Sequence, residues 1–246
     1  MKVSGFTFVR TVVKYDVPVV ESISSILPVV DEFIVNVGRC DDGTLELIRS
    51  IGDLKIRIVE SVWDETLRKD GLIYAQKTNI ALSHYTGDWA FYFQADEVVH
   101  EDDLPILQEA MRCHLGKPEV KGLLFRYLHF IADYWSTNPW FDHKAVRIIR
   151  NNGEVESCGH AVGFHLEATQ QYLHSGPKEW IAPSGGRVFH YGWVKDPKTM
   201  LEKNGSKRAS TMEVTFLQQR PRRSLTTRLS SKTMPCSNSF VAAIPP

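Results

Sequence analysis

DWAFYFQADEVVHEDD, residues 88–103, is the stretch that decides the fold. Its first half, Trp89 to Phe93, is an unbroken apolar run with three further aromatics behind the tryptophan's neighbour Ala90. Five residues are too few for a buried helix, and the absence of polar alternation marks a strand covered on both faces. Directly after it come Gln94, Ala95, Asp96 and Glu97, then His100, Glu101, Asp102 and Asp103. A buried strand that opens into a cluster of acids is the carboxyl end of a strand in an α/β sheet, where such folds place their ligands.

Working outward, the same rhythm recurs. Residues 3–13 are apolar and β-branched, and VPVVESISSILP repeats its apolar side chains at helical spacing through Val20, Ile23, Ile26 and Leu27. DEFIVNVG reads as a second strand, with Asp42, Gly43 and Thr44 offering a cap before the helix LELIRSIG. KIRIVESV is a third strand, and residues 72–85 place Ile73, Lys77, Ile80, Ala81 and His84 on a helix before the decisive strand begins. Strands alternating with helices predict right-handed crossovers and a mostly parallel sheet with helices on both faces. Downstream, LPILQEAMRCHL is a helix and KGLLFRYLHFIA a long strand; after it the pattern turns β-rich. KAVRIIRNNGEV predicts a hairpin turning at Asn152 and Gly153, and GGRVFHYGWV a further strand.

The composition excludes several classes. With 246 residues and 43% hydrophobic side chains, the chain can bury a sizeable core without covalent staples. Lys plus Arg and Asp plus Glu balance at 29 each, so no one-signed field exists to neutralise nucleic-acid phosphates, and no nucleic-acid partner is expected. Cys40, Cys113, Cys158 and Cys236 form no CxxC pair, which predicts reduced, mostly structural thiols in a cytoplasmic protein. No apolar stretch approaches the roughly 20 residues that cross a bilayer, leaving peripheral contact with the inner membrane face open.

The chemistry concentrates at the strand mouth. Carboxylates there can converge on a hard divalent cation such as Mg²⁺ or Mn²⁺. Asp102 and Asp103 immediately precede a helix and are read as acids favoured by its dipole, whereas Asp96 is read as the metal ligand. His143, His160 and His165 lack the spacing of a helical zinc pair and are read as loop histidines.

The order strand, helix, strand, DDGT, a Lys-Thr-Asn helix, DWAFYFQADEVVHEDDL and finally FHYGWVKDPKTM resembles family 2 glycosyltransferases of the GT-A fold, in particular bacterial members with a QxDE acidic motif and a late HYGW segment. The resemblance covers residues 3–203. It implies a Rossmann-like α/β domain with a β-rich acceptor half, which transfers a sugar from a nucleotide-sugar to a hydroxyl of a cell-surface glycan or lipid-linked acceptor, with inversion. It further implies that Asp96 and His190 hold Mn²⁺ or Mg²⁺, and that Arg10, Asp41, Lys77, Asn79, Gln94 and Ala95 surround the nucleotide-sugar. Two positions differ from the family pattern: Gln94 stands where a first acid is usual, and Val37 and Gly38 stand where a base-reading acidic pair is usual. Inversion needs a base for the acceptor hydroxyl. Glu156 and His160 in GEVESCGHAVGFH, Glu97 and Asp142 are the alternatives, and Tyr191 and Trp193 could stack on a sugar face. A nucleotide- or glycan-binding protein without turnover is the rival from another class, and a metal-dependent hydrolase a third reading.

Residues 205–246 differ from the rest. Seven Lys or Arg, one acid and twelve Ser or Thr, with no sustained apolar period, predict a loosely packed basic tail behind a domain spanning 1–204. Such a stretch also arises when coding DNA is read out of frame, so a different natural ending is one expectation.

Overall fold

The computed structural model describes residues 1–64, 66–67, 72–141, 143–159, 161 and 163–204. The expected basic tail, His160 and Asp142 lie outside them. The chain order is β1 (Val3–Val9), α1 (Val19–Ile26), β2 (Glu32–Gly38), α2 (Thr44–Ser50), β3 (Ile56–Ser61), α3 (Leu72–Leu82), β4 (Trp89–Tyr92) and β5 (Glu97–Val98). There follow α4 (Leu104–Leu115), β6 (Gly122–Ile131), β7 (Lys144–Arg150), β8 (Val155–Cys158), β9 (Gly163–Leu166), β10 (Ile181–Trp193) and α5 (Pro197–Asn204).

An eight-stranded sheet runs β3-β2-β1-β4-β7-β6-β10-β5, and β8 pairs with β9 in a separate ribbon. Strands β1 to β4 are mutually parallel, β7 is antiparallel to β4 and β6, and β10 is parallel to β6. Six strands therefore point one way and only β7 and β5 oppose them, the mixed α/β arrangement that the alternating pattern predicts.

The apolar run of β4 explains the layering. Side chains alternate across a strand. Trp89, Phe91 and Phe93 join Ile23, Ile26, Ile48, Leu107 and Met111 in one core, which places α1, α2 and α4 on that face. Ala90 and Tyr92 join Ala81, Leu82, Val155 and Phe164 in the other, which places α3 and the β8–β9 ribbon opposite. Trp89, Phe91, Tyr92 and Phe93 are fully buried, at about 1.5–3 kcal/mol each relative to exposure.

One expectation needs correction. The Asn152–Gly153 turn exists, with Gly153 at φ +73°, but β7 and β8 do not pair into a hairpin. Strand β7 is inserted between β4 and β6, so both of its edges are already hydrogen-bonded and β8 pairs with β9 instead. Cys40 and Cys158 are free thiols as expected. Among the described residues no helix is long and apolar enough to cross a membrane.

Candidate functional site

The acidic turn after β4 is held on three sides. Gln94 accepts from the Glu97 amide at 3.1 Å through its carbonyl and donates its own amide to a Glu97 carboxylate oxygen at 3.2 Å. From α1, the Ser22 hydroxyl donates to the Gln94 carbonyl at 2.8 Å, and Ser25 Oγ accepts from the Val99 amide at 3.2 Å. From the sheet, Arg147 on β7 donates Nε to Glu97 Oε2 at 2.8 Å and Nη2 to Oε1 at 2.6 Å, and the Tyr127 hydroxyl on β6 donates to the same carboxylate.

Glu97 is fully buried in this pair, so its expected role as a catalytic base gives way to a structural one: both carboxylate oxygens are committed inward. Burial opposes the charge on Arg147, yet the adjacent Glu97 carboxylate outweighs it and holds the guanidinium protonated above its ordinary value. Burial, reinforced by the same carboxylate, raises Tyr127 well above a usual phenol. Asp103 also departs from the simple reading of a helix-end acid. It occupies the N-cap of α4, but its carboxylate takes Nε and Nη2 of Arg187 at 2.9 and 2.8 Å and the Arg187 amide at 2.9 Å.

Asp96, next to the fully buried Glu97, keeps a side-chain exposure of 16%. The Asp96 carbonyl accepts from the Tyr191 amide at 2.8 Å, and Asp96 Oδ1 stands 3.6 Å from His190 Nε2. Gly192 lies beside both. A Cβ built there would fall 2.6 Å from Asp96 Oδ2, 2.7 Å from His190 Nε2 and 2.8 Å from His190 Cε1. A carboxylate oxygen and an imidazole nitrogen thus converge on a cradle that glycine leaves open and any other side chain would begin to fill.

His129, opposite His190 in the register of β6 and β10, completes the constellation. The two Nδ1 atoms are 3.1 Å apart, so one ring donates to the other. If His190 presents the Nε2 lone pair to a cation, its proton sits on Nδ1 and His129 is the acceptor, the outer-shell bond that commonly orients a ligating imidazole. Tyr127 packs on both rings, at 4.5 Å from His129 and 5.7 Å from His190.

Further along the carboxyl edge, Arg10 lies over the Trp63 ring at 5.2 Å, and Trp63 packs against Phe8 and Tyr74. Gly38 permits this: a Cβ there would sit 2.3 Å from Trp63 Nε1. The other expected nucleotide-binding residues are placed differently from one another. Lys77 is buried and donates to the Val62 carbonyl at 2.7 Å, and burial lowers its pKa against the opposing charge of Asp64. Asn79 spans to β8, donating to the Ser157 carbonyl at 3.1 Å and accepting from the Ser157 amide at 2.8 Å. Both side chains therefore have internal partners. Asp41 is exposed in the loop after β2, and Ala95 is half-buried within the acidic turn. Gln94 Nε2 donates to the Ala161 carbonyl at 3.2 Å, tying the acidic turn to the segment that follows β8. On that ribbon Glu156 Oε1 is 2.8 Å from His165 Nε2, a carboxylate held by an imidazole. His143 faces the Pro139 carbonyl at 2.8 Å.

Arg147, His129, Gly192 and Trp63 were not among the residues singled out by sequence. His129 and Arg147 are polar positions inside apolar strands, which was the available signal, but their partners are set by strand register between distant segments. No cluster of three or more His, Cys, Asp or Glu suited to a metal exists among the described residues. The pair of Asp96 and His190 fits a divalent ion that takes its remaining ligands from a diphosphate and water, as Mg²⁺ and Mn²⁺ sites on phosphate substrates do.

No protein-family model matches the chain, and no curated protein matches it. Among solved structures, similarity reaches S. aureus TarS 1–349 in complex with UDP-GlcNAc, at 14% identity over 56% of this chain and 37% of that one, TM-score 0.39. It also reaches glucosyl-3-phosphoglycerate synthase from Mycobacterium tuberculosis with Mn²⁺ and UDP-glucose, at 18% identity over 52% and 44%, TM-score 0.36. The mannosyltransferase PcManGT from Pyrobaculum calidifontis with GDP-Man and Mn²⁺ is similar at 24% identity over 50% and 34%, TM-score 0.38. The chain spans less than half the length of each of these structures.

Proposed function

We propose that this protein is a glycosyltransferase that moves a sugar from a nucleotide-sugar, with Mn²⁺ or Mg²⁺, to a hydroxyl of a glycan or lipid-linked acceptor with inversion. The observation that carries the reading is the convergence of Asp96 and His190 beside Gly192 at the carboxyl edge of the sheet. QADE at 94–97 and HYGW at 190–193 support a place in family 2 of the GT-A enzymes, with residues 1–204 as the transferase domain and 205–246 as an appendage.

The leaving group of such a reaction gains negative charge on its diphosphate, and a bound divalent ion supplies charge neutralisation there. Asp96 and His190 would hold that ion, with His129 fixing the imidazole. Arg10 and Trp63, at the far side of the same edge, bound the space for the nucleotide. With Glu97 turned inward, Glu156 is the carboxylate we assign to the acceptor side: held by His165 on the β8–β9 ribbon, it would take the hydroxyl proton.

Incubation with UDP-, GDP- and CDP-sugars, with and without Mn²⁺, tests this. Mn²⁺-dependent release of one nucleoside diphosphate is expected. Nucleotide binding without turnover would replace the transferase by a binding protein, a reading favoured by the withdrawal of Glu97 from the open site. No nucleotide binding at all would end both.

A further inference from the structure

The loop between β6 and β7 reads ADYWSTNPWFDH, residues 132–143, and carries four aromatic rings in twelve positions. Three of them are turned to solvent: Tyr134 is 65% exposed, Trp135 90% and Trp140 74%. Exposing large aromatics forgoes the burial that usually stabilises them by several kcal/mol, so a rigid display of this kind marks an interaction surface.

The display is rigid. Phe130 and Thr137 form a β-bridge, the Ile131 amide donates to the Ser136 carbonyl at 2.9 Å, and the Asn138 amide donates to the His129 carbonyl at 2.8 Å. Asp133 Oδ1 accepts from the amides of Trp135 and Ser136 at 2.9 and 2.7 Å, and Asn138 Oδ1 accepts from that of Trp140 at 2.7 Å. The loop is thus folded back on its own backbone bonds, with its tryptophans presented rather than buried.

It is also continuous with the site. Tyr134 contacts Tyr191 at 5.6 Å, and Tyr191 is next to His190 and bonded to Asp96 through its amide. Phe141 contacts His129 at 5.1 Å and Trp193 at 5.8 Å. Between residues 132 and 143 there are two aspartates and no Lys or Arg. That charge repels anionic lipid headgroups, for which interfacial loops carry cations, and repels nucleic-acid phosphates as well. A neutral ligand with apolar faces and hydroxyl edges suits rings interleaved with the exposed Asp133, Ser136 and Thr137.

We infer that Tyr134, Trp135 and Trp140 form a stacking platform for a neutral saccharide chain, the acceptor-side subsite of the reaction centred on Asp96 and His190. This rests on the transferase reading for its role as acceptor subsite.

The full-length protein is titrated with neutral gluco-, manno- and N-acetylglucosamine hexasaccharides while tryptophan fluorescence is followed, and separately with vesicles of phosphatidylcholine and phosphatidylglycerol. A saturable response to at least one hexasaccharide is expected, weakened roughly tenfold in Y134A/W135A because two stacked rings are lost. The variant keeps the wild-type melting transition, because both rings are largely exposed. No saturable response across the panel, a response that survives Y134A/W135A, or a response to vesicles in place of sugars overturns the platform. Saccharide binding lost in the variant, with no nucleotide binding in either protein, instead sinks the transferase reading and leaves the platform standing.

Discussion

Replacing Arg147 by methionine would leave the Glu97 carboxylate fully buried without its guanidinium. The wild-type contacts are two charged hydrogen bonds at 2.6 and 2.8 Å and a longer one at 3.1 Å, with the Tyr127 hydroxyl on the same oxygen. Breaking a buried pair from one side costs about 3–5 kcal/mol, because the remaining charge is stranded. For a domain of this size that corresponds to a fall in melting temperature of roughly 6–20 °C. Changing both partners together, in E97Q/R147M, removes the stranded charge, so at least half the loss should return. Urea denaturation of the wild type, E97Q, R147M and the double variant closes the cycle, with an expected coupling of at least ~2 kcal/mol and little dependence on salt. A coupling below about 0.5 kcal/mol, as exposed pairs give, would refute the reasoning. So would an E97Q protein of unchanged stability that has lost all transfer, since that outcome would return Glu97 to the chemistry. The pair also anchors the turn that aims Asp96, so R147M should weaken Mn²⁺-dependent nucleotide binding along with stability.

Gly192→Ala places a methyl group 2.6 Å from Asp96 Oδ2 and 2.7 Å from His190 Nε2, so isothermal titration should show Mn²⁺ affinity in the presence of nucleoside diphosphate falling by about 10–100-fold, with the melting temperature changed far less. Asn79→Ala leaves the Ser157 amide without its side-chain acceptor, and chemical denaturation should show a loss of about 1–3 kcal/mol. Burial pushes the Asp42 carboxyl up, but hydrogen bonds from Thr44, Lys14 and Cys40 outweigh it and hold the pKa below the ordinary 3.8. Its contribution is therefore complete above that value and lost as pH falls through the lower folded pKa. Asp42→Ala should cost about 1 kcal/mol at neutral pH, and the gap from wild type should close in denaturation curves taken toward pH 2.

Local pattern carried much of the architecture. LPILQEAMRCHL reads as a helix and is one, Leu104–Leu115, because Leu107 and Met111 sit one turn apart on its buried face. The β7–β8 pairing was misleading for the opposite reason: a turn signal is local, whereas the partner of β7 is chosen by the vacancy between β4 and β6. The division of labour between Asp96 and Glu97 lies deeper. The strand involved, β5, is two residues long, begins at Glu97 and shows no periodicity, so nothing local marks Glu97 as the acid that is fully buried on Arg147. Lys77 and Asn79 are expected near the nucleotide-sugar because the family resemblance implies it. Their bonds to Val62, just past β3, and to Ser157 of β8 become visible only when those segments are brought alongside.

The central claim is that Asp96 and His190 grip a divalent cation under a nucleoside diphosphate. Titration of UDP and GDP into the wild type and into D96N, each with and without Mn²⁺, tests it most directly. Mn²⁺ should tighten binding of one nucleotide to the wild type by at least about tenfold and leave D96N unaffected. Equal binding with and without the ion in the wild type, or an undiminished effect of Mn²⁺ in D96N, would contradict it.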